Sequence, residues 1–174
     1  MKSFEHRIGA SKGGVALLQK ELPNDPFLKI FEELILELRT FEELSINSRD
    51  VQIGVIWIGE PWSKSNLIKY AAKNPRTIAR ALTTPKLFLD SLLAFLWRPP
   101  GFGHPNELLY MAVSSESQSQ GIGSALVHES ELRGLLKSGA WVNTLASSHS
   151  KSFYINNGFS LVSERYGRSV LRYE

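Results

Sequence analysis

Cysteine is absent from the 174 residues, which excludes disulfides, thiolate zinc sites and a cysteine nucleophile together. That absence suits a reducing compartment, and it requires any group transfer to be direct or to use another nucleophile. Long apolar runs are missing too. The greasiest stretch, residues 87–97, carries Asp90 and is about half the length that crosses a bilayer, so no transmembrane helix is expected. The opening MKSFEHRIGASKGG places charge and glycine where a secretory signal needs an apolar run, and a cytoplasmic protein is expected. Neither sign of charge dominates. Twenty Lys and Arg stand against 17 Asp and Glu, a net +3 that falls short of the clustered basic surface of a nucleic-acid binder. A nucleic-acid partner is not expected, while a small anionic ligand is compatible.

What is present describes a globular protein: 43% hydrophobic and 21% charged residues, at a length that suits one domain spanning residues 1–174. A weak strand pattern over residues 3–8 precedes a glycine-containing loop and a short helical run over 15–20. Residues 25–44 repeat apolar side chains at three- and four-residue steps with glutamates between, which predicts one or two amphipathic helices. After a turn at 47–50, the β-branched run 51–58 predicts a buried strand.

Residues 63–98 change character, with seven Lys or Arg against the single acid Asp90 on helical spacing, and Pro75 and Pro85 divide them into short helices. The breaker cluster 99–106 ends that insertion, which spans about 63–100. A central strand is expected over 107–113, a polar loop over 114–120 and a helix over 121–138 whose core stripe is Ile122, Ala125, Leu126, Leu132 and Leu135 or Leu136. A strand over 141–145, a short helix over 150–157 ended by Gly158, and two closing strands over 159–164 and 169–173 complete the α/β pattern.

Chemistry concentrates where strand, polar turn and helix follow one another. A helix opened by Gly121-Ile122-Gly123 offers unpaired backbone N–H groups and a favourable dipole to an anion such as a pyrophosphate, and glycine permits close approach. Alone, such a pair is more often only a turn. A dinucleotide fingerprint fails, because Leu126 stands where a third glycine is needed, and the Gly-Lys-Ser/Thr ending of a phosphate loop is missing.

The context is more specific. Gln118-Ser119-Gln120-Gly121-Ile122-Gly123 resembles the Q/R-x-x-G-x-G/A signature of the GNAT superfamily of N-acetyltransferases, directly after the strand Leu108-Leu109-Tyr110-Met111-Ala112-Val113. About thirty residues on, Phe153-Tyr154-Ile155-Asn156-Asn157-Gly158-Phe159 resembles that family's FY…GF segment. The resemblance covers 51–58 and 107–173, with 25–44 as the family's early helices. The chain departs from the commonest pattern at Gln118, where arginine is more frequent, and at Ser147, where many members place asparagine.

The resemblance implies a mixed, mostly antiparallel sheet, splayed at the cofactor site and flanked by helices, with 63–100 as an added helical flap. It implies acetyl-coenzyme A as co-substrate and no metal. By the same carry-over, Met111, Ala112 and Val113 bind the pantetheine arm, chiefly through the backbone of Met111 and Val113. Gln118, Ser119, Gln120, Gly121, Ile122, Gly123 and Ser124 receive the phosphates.

Two side chains are implied for the acid–base work. Tyr154 is expected to face the sulfur and protonate the leaving thiolate, and Glu107, in the register of the histone-acetylating branch, to take the amine's proton. Their plainer readings are a packed aromatic and a solvated strand end. His149 could serve as a base or touch a phosphate, though a histidine at a helix start is more often a polar end group. The expected activity is direct acetyl transfer to the primary amine of a small molecule, an amino sugar among the candidates. A non-catalytic coenzyme A-binding module and a protein lysine or N-terminal acetyltransferase stay open. For the basic, apolar insertion three readings stay open: packing on the core, a homodimer or protein-partner face, and contact with a membrane surface or lipid-linked acceptor.

Overall fold

The computed structural model describes residues 2–23, 41–59, 69, 72–73, 75, 106–146, 148–165 and 167–174. Its elements are β1 Lys2–Ile8, α1 Lys12–Glu21, β2 Phe41–Ser48, β3 Val51–Gly59, β4 Glu107–Val113, a 3-10 turn Ser115–Ser117, α2 Ile122–Leu132, β5 Trp141–Leu145, α3 Ser148–Asn156, β6 Phe159–Arg165 and β7 Arg168–Tyr173. Seven strands form one sheet in the order β1-β2-β3-β4-β5-β7-β6. Every neighbouring pair is antiparallel except β4 and β5, which run parallel because α2 carries the chain back across the sheet between them.

The sheet separates two cores. Ile56, Ile58 and Leu108 pack with Ile122 and Leu126 of α2 and with Tyr154 of α3 on one face. Leu17 and Leu18 of α1 pack on Val55, Trp57 and Ala112 on the other. Strand β3 is apolar on both faces because each is covered, and Gly54 is the one position where α2 comes too close for a side chain. A Cβ there would lie 2.8 Å from Ile122.

Three expectations change. Residues 41–44, read as the end of a helix, are instead the start of β2, and residues 24–40 of that expected helix lie outside the described ones. The reason is Glu43, a fully buried carboxylate at a position that reads as solvated. Its Oε2 accepts from the Trp57 indole at 2.8 Å and from the Ser11 backbone N–H at 3.0 Å, beside the start of α1. The second change is at the β2–β3 hairpin. Only Arg49 and Asp50 turn, both with positive φ (50° and 64°), the geometry of a tight two-residue loop. Third, α2 ends at Leu132, which is exposed, and Leu135 and Leu136 reach the core from the loop that follows. The expected insertion lies outside the described residues apart from Lys69, Ala72, Lys73 and Pro75, which are helical.

Candidate active site

Strands β4 and β5 pair only at Glu107↔Trp141 and Leu108↔Val142. Beyond these pairs they part, because each is held by its other neighbour: β4 by β3, and β5 by β7 along its whole length. A bulge helps to open the gap. The register passes from Trp57↔Tyr110 to Ile58↔Leu108, which leaves Leu109 as an extra residue in β4 and bends the strand. After the bulge, Met111 and Val113 pack toward the α2 side, while Tyr110 packs and Ala112 is buried on the α1 side.

A cavity of about 550 Å³ occupies this wedge. Met111, Val113, Val142, Asn143 and Thr144 line its strand walls, the turn from Ser117 through Ser124 closes one end, and Phe153 and Tyr154 come in from α3. Within that turn Ser119 and Gly121 have φ of 63° and 74°, and left-handed residues in a turn are the backbone form from which anion-binding concavities of N–H groups are built. The first turn of α2 has no side-chain cap, and the first intrahelical bond at this end runs from the Ala125 N–H to the Gly121 carbonyl. The N–H groups of Ile122, Gly123 and Ser124 thus remain available to a ligand.

The two glycines have different reasons. A side chain at Gly121 would meet nothing within 4 Å, so its requirement is the left-handed φ. At Gly123 a Cβ would lie 3.0 Å from the ring of Phe153.

Tyr154 is buried at the cavity wall. Its ring meets Phe153 and Phe159 edge-on, each at a centroid distance of 5.2 Å, and Phe159 continues to Tyr173 at 5.0 Å. Burial pushes its phenol well above the ordinary value, so the hydroxyl stays protonated and is a donor rather than a base.

The wedge brings together Tyr154, Met111, Val113, Gln118, Ser119, Gly121, Ile122, Gly123 and Ser124 of the expected residues. It does not bring in Glu107, Ala112 or Gln120. Ala112 is buried against the α1-side core, and exposed Gln120 turns its amide to the Glu116 carbonyl at 3.2 Å. Glu107 stands half-buried where the wedge closes. Gln118 folds back, its Nε2 donating to the Val113 carbonyl at 3.4 Å. His149 lines the cavity and is exposed. Sequence reasoning missed Leu22, Tyr110, Asn143 and Thr144: the resemblance implied a splayed sheet but not which side chains face the gap.

Among the described residues no group of three or more His, Asp or Glu could hold a metal ion, and no helix is long and apolar enough to cross a membrane.

The parallel pair of strands parts beside a glycine-opened helix and leaves a cleft that suits an extended anionic ligand. Residues 93–161 match the family described as acetyltransferase (GNAT) domain, and the fold is shared with solved structures of GNAT-family acetyltransferases. Similar solved structures include a GNAT family acetyltransferase from Elizabethkingia anophelis with acetyl-CoA bound (15% identity, covering 99% of this chain and 97% of that one, TM-score 0.57). The PaiA N-acetyltransferase of Thermoplasma acidophilum in complex with coenzyme A is also similar (15% identity, 99% of each chain, TM-score 0.56). So is the ribosomal-protein-S18-alanine N-acetyltransferase of Escherichia coli (14% identity, 99% and 90%, TM-score 0.52). No curated protein sequence matches the chain.

Proposed function

We propose that the chain is an acetyl-coenzyme A-dependent N-acetyltransferase acting on the primary amine of a small molecule, with amino sugars the first class to test. The observation that carries this reading is the wedge itself: Tyr154 on its wall and the uncapped N–H groups of Ile122, Gly123 and Ser124 at its end. These donors suit a pyrophosphate, and the coenzyme A-bound neighbours support the same donor. The thioester supplies an activated acyl carbon. A neutral amine attacks that carbon, the new C–N bond forms as the C–S bond breaks, and the departing thiolate takes the proton of the Tyr154 hydroxyl. Glu107 lies outside the cavity lining, so its role is to receive the amine's proton through intervening water, from the closed end of the wedge.

The test is a thiol-release screen with acetyl-coenzyme A across amino sugars, polyamines, amino acids, aminoglycosides and peptides. Release that depends on a small amine, with an N-acetylated product by mass spectrometry, supports the reading. Tight coenzyme binding without amine-dependent release would leave a binding module instead, and turnover with peptides alone would move the acceptor to a protein.

A further inference from the structure

The cavity reaches both faces of the sheet. The glycine turn, Met111, Val113 and Tyr154 line it on the side of α2 and α3, while Leu22 and Tyr110 line it on the side of α1. A donor whose phosphates sit at the start of α2 therefore presents its reactive end through the gap, and its acceptor arrives from the α1 side. Strand alternation decides which side chain of β5 meets that acceptor. Val142 packs into the α2-side core, so Asn143 faces the other way.

Asn143 is also chemically unfinished. Its Oδ1 is shut off from solvent and accepts no hydrogen bond from the described residues, although such enclosed acceptors are nearly always paired. The terminal torsion of an asparagine is broad, and none of the described residues holds this oxygen. Rotation about the Cβ–Cγ bond turns it into the cavity that the residue lines without breaking a bond at the oxygen.

We propose that Asn143 is the specificity-determining contact for the acceptor nitrogen, its carboxamide oxygen taking one N–H of the neutral amine so that the lone pair faces the thioester carbon. The inference rests on the acetyl-transfer reading above. A carboxamide is not a base, so Asn143 holds a hydrogen and removes none. A primary amine has two: one stays on Oδ1, and the other leaves as the C–N bond forms and the C–S bond breaks. An alcohol has a single O–H, which cannot be both held and released, and Asn143 thereby favours nitrogen over oxygen as the nucleophile.

The experiment compares the full chain with Asn143→Leu and Asn143→Asp, using acetyl-coenzyme A and, as probes, glucosamine and spermidine. Calorimetry reads acetyl-coenzyme A affinity, and thiol release is followed with and without amine. Asn143→Leu is expected to raise KM for the amine by up to about tenfold, a larger change than in acetyl-coenzyme A affinity. Asn143→Asp adds a charge that prefers the ammonium form, so its amine KM falls relative to the parent as pH is lowered, which a merely structural residue would not produce.

An unchanged amine KM in both variants overturns the proposal. A loss of acetyl-coenzyme A affinity equal to the loss for amine also overturns it, by putting the amide on the pantetheine arm. If the unaltered chain binds acetyl-coenzyme A yet acetylates no amine, the acetyl-transfer reading fails first and this inference with it.

Discussion

Gly123 lies against the ring of Phe153, so that a Cβ at Gly123 would stand 3.0 Å from Cε2 and 3.1 Å from Cζ. The start of α2 and the middle of α3, thirty residues apart in sequence, thus define one wall of the cavity by touching. Gly123→Ala is expected to cost about 1–3 kcal/mol through overpacking against the ring. Thermal denaturation measures it, and Phe153→Leu in the same chain should return part of the loss. A Gly123→Ala protein as stable as the parent would show that the ring yields freely.

Gly121 responds to a different cause. With φ of 74° and open space around its Cα, Gly121→Ala is expected to cost about 1–2 kcal/mol from backbone strain alone. Phe153→Leu should give it no relief. A denaturant melt of the single and double variants distinguishes the two glycines.

Tyr154→Phe removes the proposed donor to the leaving sulfur while keeping the ring contacts with Phe153 and Phe159. A fall in kcat of about a hundredfold is expected, with acetyl-coenzyme A affinity unchanged. Stability supplies an independent readout. Burial raises the folded-state pKa above the ordinary 10.0, so the contribution of Tyr154 is complete below that value. It is lost as pH rises from the unfolded value toward the folded one. Denaturant unfolding above about pH 9.5 should therefore weaken the parent more steeply than the phenylalanine variant.

Glu107→Gln keeps the shape of the strand end and removes a proton acceptor. If the carboxylate drains the amine's proton through water, kcat falls and the acidic limb of the pH–rate profile flattens. An unaltered profile would remove Glu107 from the proposed proton path.

Glu43 tests the fold rather than the chemistry. Glu43→Ala strands the Trp57 indole and the Ser11 N–H at once, and a loss of about 2–4 kcal/mol is expected, with a red shift in the fluorescence of the otherwise buried Trp57. Glu43→Gln keeps one acceptor oxygen and should lose less.

Where local pattern and burial agree, the sequence was readable. Strands β3, β4 and β5 show it, and so does the glycine turn, since β-branched runs, a polar loop and a helix start each leave a local mark. Strand β2 was not readable, because Phe41 and Leu44 sit three residues apart as on a helix and Glu43 reads as solvated. Only contact with Trp57 and Ser11 makes that carboxylate an interior group. The site divides in the same way. Tyr154 and the turn from Gln118 were visible as motifs, while Tyr110 and Asn143 were invisible, being ordinary strand residues brought to the cavity by a gap between strands.

By itself the sequence determined the turn proposed to bind an anion, its glycines and the aromatic pair Phe153–Tyr154, since backbone freedom and side-chain chemistry are properties of the residues. The splay was implied by the resemblance, but tertiary structure decided that β4 and β5 pair only at Glu107↔Trp141 and Leu108↔Val142 before they part, because each strand answers to a neighbour far away in the chain. It also decided that Glu107 stands at the closed end of the wedge and Asn143 on its wall. Which side chain meets the acceptor depends on the bulge at Leu109 and on strand alternation across the gap, relationships that exist only once the sheet is assembled.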